Sequence, residues 1–474
     1  MSPSAPRRVG VAGAVRAGTP AGRWVLLATV LGSALAAIDA TVVTIALPTI
    51  ASDLDASFAG LQWTVTGYSV TLAALILFSG AAGDRFGRRR LFLLGVVWFT
   101  VASVLCAAAP TIGVLIAARV LQGVGGALLT PSSLAIIEAV FDPRDRPAAV
   151  GTWAGFSGVA GALAPFAGGW LLDLGSWRWV FLVNIPVAAL VIHLAVRHVP
   201  ETRDDEAAGG LDWVGSAASV LFLGAGTYAI IEAPNGGKSA VVLLAAALAV
   251  ALLVGFVLWE RRSPHPLLPL RLFTIRQFTA VNAVTFIVYG ALGTFFFLLV
   301  LQLQVVAGWS PLLAGSSTIP VTVLVLAFSR WSGVLGQRIG PRLQMTVGPL
   351  LCAFGTVLAL RIGVAAHYVT DVLPAVLVFG VGLAAMVAPL TATALSSVPT
   401  SNAGIASGVN NALARSASLL GIAGIPVAAG LTGHAFEDPA RFDAGFRTAT
   451  LVCAVLFALG GLLAGLAVRN PHPR

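Results

Sequence analysis

Apolar residues in this chain gather in long runs, with neither the strict alternation of a half-exposed strand nor the one-sided stripe of a surface helix. The runs cover approximately residues 23–47, 60–82, 91–109, 112–138, 147–172, 177–197, 211–232, 238–258, 278–305, 312–335, 343–364, 371–396, 404–431 and 448–468. Each approaches or exceeds the roughly 20 residues that carry a helix across a hydrocarbon core about 30 Å thick. Inside hydrocarbon every backbone polar group needs an internal partner, so such runs predict helices. The pattern predicts fourteen membrane-spanning helices, with the narrowest breaks at 109–112 and 232–238.

Composition agrees with that reading. The 474 residues are 58% hydrophobic and 10% charged, with a mean hydropathy of +0.93, whereas a soluble domain carries about 25% charged residues. Net charge is +9, and 27 of the 28 basic residues are Arg. In a soluble chain such basicity would suggest nucleic acid. Here 21 of the basic residues fall in the termini and alternate loops and 5 in the opposite loops, leaving Arg119 and Arg415 inside spans. The positive-inside rule therefore predicts both termini in the cytoplasm and no nucleic-acid partner. Trp residues near span ends, among them Trp24, Trp63, Trp177 and Trp259, suit an interfacial aromatic belt. Residues 1–22 lack a signal-peptide core and read as a disordered cytoplasmic arm; residues 469–474 read as a cytoplasmic tail.

Some chemistry is excluded by the same inspection. Cys106, Cys352 and Cys453 lie in three separate runs, so neither a disulfide framework nor a metal site is expected, and no cofactor. There is no Gly-x-x-x-x-Gly-Lys-Ser/Thr loop for ATP. No paired-acid, His-cluster or Ser–His arrangement supports an enzyme.

The chain carries an internal echo. "GAAGDRFGRRR" starts at Gly80 and "GVLGQRIGPR" at Gly333; "GTWAG" starts at Gly151 and "GIASG" at Gly404. Both landmarks repeat at an offset of 253. The echo predicts a duplicated six-helix unit: an N-terminal bundle over 23–197, a linker with two additional helices over 198–262, and a C-terminal bundle over 263–468. Two such bundles facing each other across a cavity form a transporter architecture, with substrate held near mid-membrane.

These segments resemble the major facilitator superfamily, and within it the fourteen-helix drug:proton antiporters of bacteria. In "GAAGDRFGRRR", Gly80, Asp84, Arg85, Gly87, Arg88 and Arg89 match the superfamily's loop signature, with Ala82 in place of a usual Leu. "ARVLQGVGGA" (118–127) is similar to the span-four motif, and "IDATVVTIALP" (38–48) to the span-one motif of this group, with Thr44 where Asn is usual. In span five Gly151, Pro165, Gly168 and Gly169 match the antiporter pattern, while Ala160 and Ala164 replace two Gly. The resemblance implies an all-α membrane protein of the major facilitator fold. It implies a monomer in the bacterial plasma membrane that exports lipophilic drugs or antibiotics, cations among them, in exchange for protons. Export of an endogenous metabolite or siderophore is the alternative on the same scaffold. It also implies that the Asp84 loop closes the cytoplasmic side, with Asp84 near Asn402–Gly404, and that Arg85, Arg88 and Arg89 bind carboxylates and lipid headgroups.

One polar position inside the runs needs a separate explanation. Asp39 sits in "SALAAIDATVVTIALP" with no Arg or Lys within fifteen residues on either side. Counting 1.5 Å per residue, Asp39 is about 12 Å from Leu47 and Arg119 about 10–11 Å from Ile112 on an antiparallel neighbour. Opposite charges at similar depth predict a pair facing the cavity, with Arg119 and Gln122 engaging the carboxylate by turns and Asp39 as proton carrier, because an unpaired intramembrane charge costs several kcal/mol. Gln62, Tyr68, Gln122, Asn282, Tyr289, Gln302, Asn410, Asn411 and Arg415 are the candidate substrate-cavity groups, among aromatics such as Phe295 and Phe296. Glu138, Asp173, Asp212 and Glu232 lie near span ends and are expected to be solvated.

Overall fold

The computed structural model describes residues 15–16, 18–203, 210–236, 240–399 and 402–470. Most of the 1–22 arm, including Arg7 and Arg8, and also Lys238 and Arg474 lie outside the described residues. Fourteen helices among them are long and apolar enough to cross a membrane. Spans one to six are Pro20–Leu54, Phe58–Phe86, Arg88–Ala107, Ile112–Val140, Ala148–Asp173 and Trp179–His198. Spans seven and eight are Trp213–Pro234 and Ala240–Arg262. Spans nine to fourteen are Arg276–Val305, Pro311–Ile339, Pro341–Arg361, Tyr368–Ser396, Gly404–Ala428 and Pro439–Ala467. Every expected span is present. Span one is longer than its apolar run, because Pro48 and the polar Thr49–Leu54 stretch continue the helix to a left-handed cap at Asp55.

The packing pattern of spans one to six recurs in spans nine to fourteen. In the first bundle, span four packs on spans two and three, and span one on spans five and six. In the second, span twelve packs on spans ten and eleven, and span nine on spans thirteen and fourteen. The bundles meet where span two touches span thirteen and span five touches span ten, again a symmetric pair.

The repeat extends to single atoms. Gly87 and Gly340, 253 positions apart, both take positive φ, +108° and +84°, in the tight link between two spans. After Gly87 the amide of Arg89 donates to Glu201 at 3.0 Å; after Gly340 the amide of Arg342 donates to Asn470 Oδ1 at 3.1 Å. Each acceptor satisfies an otherwise orphaned helix N-terminus from the chain that follows its bundle's last span. A Cβ on Gly87 would meet Glu201 Oε1 at 2.7 Å. Here the backbone angle and the close approach both require glycine.

The two faces of the molecule differ. On the face away from the termini, Phe58 donates its amide to the Gly433 carbonyl at 2.7 Å, and Gln304 Nε2 donates to the Ile45 carbonyl at 3.2 Å. The Phe58 ring packs edge-on against Phe297 and Phe442, joining both bundles in one apolar cluster. At the terminal face a hollow of about 1080 Å³ opens between spans two, four and thirteen and the loop after span eight. Among the described residues, one face is sealed and the other open.

Spans seven and eight form a hairpin laid over the seam between spans two and thirteen. Span seven packs on both, with Ser219 Oγ donating to the Ala74 carbonyl at 3.2 Å and Trp63 Nε1 donating to Glu232 at 3.3 Å. Span eight rests on span seven, and only 11% of its apolar window is inside the protein. Such an apolar outer face suits lipid.

Replacing Gly87 by Ala should lower the thermal unfolding temperature of the detergent-purified protein, by the equivalent of about 1–3 kcal/mol of local strain. Gly80→Ala, with open space around the added methyl, should leave it unchanged. Equal melting of the two variants would contradict the constraint assigned to Gly87.

Candidate functional site

Asp39 and Arg119 meet in the interior of the first bundle. Arg119 Nη1 donates to Asp39 Oδ2 at 2.5 Å, and each residue is 1% exposed. Gln122 Nε2 donates to Asp39 Oδ1 at 2.8 Å, and Asn184 Nδ2 donates to the same oxygen at 3.2 Å. Ser103 Oγ accepts from both amides, at 2.9 and 3.2 Å. Arg119 spends its remaining reach on the Thr64 carbonyl at 3.0 Å and the Gln122 side-chain oxygen at 2.6 Å. Spans one, two, three, four and six thus converge on one carboxylate. Every group touching it is a hydrogen-bond donor, the kind of partner a carboxylate oxygen accepts from.

Close helix approach makes this possible. Gly123 and Gly126 of span four lie so near span two that a Cβ would strike the Tyr68 carbonyl oxygen at 2.3 Å and its hydroxyl at 2.7 Å, respectively. Span six breaks between its short first segment and Asn184, at Val183, which places the Asn184 amide inside the network.

Two expectations change. The pair does not face the cavity; it lies behind Tyr68, whose ring stands 4.5 Å from the Arg119 guanidinium carbon. Nor do Arg119 and Gln122 engage the carboxylate by turns; they hold different oxygens at once. The physical reason is shared: an ion pair satisfied by several hydrogen bonds can stay buried, whereas an apolar cavity wall would leave both charges short of partners.

A cavity of about 410 Å³ lies between the bundles, lined by spans one, two and five on one side and nine, ten and thirteen on the other. Tyr68, Phe296, Phe297, Thr41, Ser418 and Arg415 are among its walls. Ala40, next to Asp39, lines it as well. Of the expected cavity groups, Tyr68 and Arg415 belong there. Asn411 lines the larger hollow instead and accepts from Arg415 Nε at 3.1 Å.

The others face elsewhere. Gln62 donates across the bundles to the Ile422 carbonyl at 2.7 Å, and Gln302 donates to the Ile362 carbonyl at 2.9 Å and to Asp443 at 2.7 Å. Asn410 donates to Asn282 Oδ1 at 3.0 Å, joining spans thirteen and nine. Gln122 belongs to the Asp39 network, Tyr289 packs on the second bundle's core, and Phe295 stacks on Phe379 at 5.0 Å. Buried amides bond backbone or one another because a lone amide facing apolar surface costs energy.

Asp84 accepts from Arg88 Nε at 2.9 Å, within its own loop. Asp84, Arg85, Gly80 and Gly404 line the open hollow together, so the loop stands across open space from span thirteen in this conformation. Arg89 donates to the Val199 carbonyl at 3.0 Å. In span five, added Cβ atoms on Gly168 and Gly169 would meet Val42 at 2.9 Å and Leu312 Cα at 2.2 Å, and Pro165 lines the cavity. Gly151 has nothing within 4 Å of such an atom. It sits toward the open face, where the bundles stand apart.

The Major Facilitator Superfamily sequence pattern matches residues 29–422. The chain belongs to that superfamily. It is similar to the puromycin resistance protein of Streptomyces alboniger, 36% identical over 93% of this chain and 89% of that one. A multidrug efflux pump of Mycolicibacterium smegmatis is 35% identical over 95% and 97%. The tetracenomycin C resistance and export protein of Streptomyces glaucescens is 34% identical over 87% and 77%. Among solved structures, a bacterial homologue of the human lysosomal transporter Spinster, inward-facing and unoccupied, aligns with a TM-score of 0.67 at 18% identity, covering 95% of this chain and 97% of that one. A transporter of the POT family aligns at 0.68 and 14%, covering 94% and 97%. Likenesses at that identity establish the superfamily fold.

Asn184, Ser103 and the Thr64 carbonyl are site groups that sequence reasoning missed. Asn184 left a signal, as a lone amide in the run "FLVNIPVAAL"; Ser103 and a backbone carbonyl left none. In this superfamily member, Arg119→Ala should cost about 3–5 kcal/mol of stability, because it strands a buried carboxylate. Asp39→Asn combined with Arg119→Leu should restore much of that loss in thermal unfolding of the purified protein. A double variant no more stable than Arg119→Ala would contradict the pair's energetic role.

Proposed function

We propose that this protein is a secondary transporter that exports lipophilic drugs or antibiotics in exchange for protons, with Asp39 as the proton carrier. It works as a monomer in the bacterial plasma membrane, with both termini in the cytoplasm and lipid around its apolar flanks. The observation that carries this reading is a buried carboxylate, bonded only by donors, one residue from a cavity sized for a drug-like molecule. Relatives named for drug resistance and export support the same direction.

In the present conformation the hollow opens at the terminal face and Asp39 is held ionised by Arg119, Gln122 and Asn184. A proton therefore has no place there until the donors withdraw. When span one shifts against span four to expose the cavity at the other face, the carboxylate loses donors and takes a proton from outside. Return to the present packing restores the donors and expels the proton inward. Substrate moves the other way, so the inward proton gradient drives export. The 21-to-5 distribution of basic residues supports this orientation. With the Asp84 loop docked near span thirteen, the cytoplasmic side would be closed; the open hollow fits the opposite phase of the cycle.

Arg415 refines the substrate. Among the described cavity walls it is the one charged side chain, and no acid lines the cavity. A fixed cation in an aromatic pocket favours neutral and acidic amphiphiles over cations.

Cells expressing the wild type should survive neutral or acidic lipophilic antibiotics and export them actively, and a proton uncoupler should abolish that export. Asp39→Asn should remove active export, and Arg415→Gln should weaken export of acidic compounds more than of neutral ones. Uncoupler-sensitive export that persists in Asp39→Asn would overturn the coupling role.

A further inference from the structure

The inserted hairpin carries two buried acids that its hydrogen bonds leave half satisfied. Asp212 caps span seven: its Oδ1 accepts from the Gly215 amide at 2.7 Å and from Trp259 Nε1 at 2.8 Å. Glu260, in the last turn of span eight, accepts through Oε2 from the Leu268 amide at 3.0 Å. The remaining oxygens, Asp212 Oδ2 and Glu260 Oε1, are buried and have no hydrogen-bond partner among the described residues. The two residues are 7% and 3% exposed, against the expectation that Asp212 would be solvated. Packing of the hairpin's ends against each other is what buries it.

The orphan oxygens converge. A Cβ built on Gly215 would meet Glu260 Oε1 at 2.7 Å and Asp212 Oδ2 at 2.8 Å, so both border the gap that this glycine leaves open. Two ionised carboxyls there would repel each other in a poorly solvated place, each lacking a donor. One proton shared between the two carboxyls would remove both deficits, since the protonated one becomes a donor to the other. Asp84 and Arg85 from span two, Glu138 from span four, and Arg261, His265 and Arg271 from the end of span eight and the next loop line the same hollow. The hollow opens at the terminal face, so the proton has a water route there.

We propose that Asp212 and Glu260 share one exchangeable proton, a proton site separate from Asp39 and at the terminal end of the inserted hairpin. Its loss leaves two adjoining carboxylates at the junction of span seven, span eight and the segment leading to span nine. The site does not depend on the export reading, and it is tested without transport.

Infrared spectra of the purified protein in lipid, recorded in water and in heavy water at neutral pH, read the proton directly. The wild type should show a deuterium-sensitive carbonyl stretch of a protonated carboxyl that fades at alkaline pH. The band should persist in Asp39→Asn. It should vanish in Asp212→Asn, whose side-chain oxygen can still accept from Gly215 and Trp259 while its amide donates to Glu260, so the capping fold is kept. Glu260→Gln should lose it too. Absence of the band in the wild type, its loss in Asp39→Asn, or its survival in both hairpin variants would overturn the proposal.

Discussion

The contact between Asp39 and Arg119 organises the first bundle. A carboxylate and a guanidinium removed from water cost several kcal/mol each unless their hydrogen bonds are completed, and that requirement reaches far from the pair. It accounts for Gln122 and Asn184 at the other carboxylate oxygen, Ser103 bracing both amides, and the Thr64 carbonyl taking the arginine's Nε. It also accounts for the glycines of span four, which bring span two close enough for Tyr68 to cover the guanidinium. The proposed proton cycle is the same constraint seen in time: the carboxylate can stay ionised only while these helices stay together.

The two bundles divide the work unequally. The first holds the ionisable machinery; the second contributes aromatic walls, Arg415 and a core crosslinked by amide pairs such as Asn282 and Asn410. Between them, one face is locked by Phe58, Gln62 and Gln304 while the other is open. The hairpin of spans seven and eight bridges the seam without closing it, because span seven alone reaches both bundles. Its buried acids place ionisable chemistry at the terminal face as well as at mid-depth.

Span number was legible because it is written in apolar length. The offset of 253 found in loop motifs returns as two positive-φ glycines with matching acceptors. The Asp39–Arg119 contact was legible for a related reason: helical rise fixes depth, and few charges compete. Rotation about the helix axis was not legible. A helix apolar on all sides offers no stripe to show which way a lone amide points, so residue type alone places Gln62, Gln302 and Asn282 at the cavity although they bond inside the protein. Asp212 was misread for a different reason. Proximity to a span end suggests solvent, and only the packing of Trp259 and Glu260 against it reveals burial. Arg415, readable in depth but not in direction, proved to line the cavity.

In the proposed cycle one carboxyl carries the exchanged proton. Purified protein in sealed liposomes with a trapped pH dye tests it, when a lipophilic substrate is allowed to run down its own gradient. Protons should move opposite to substrate in the wild type, and substrate should move without proton movement in Asp39→Asn. Proton counterflow of wild-type size in Asp39→Asn would contradict it.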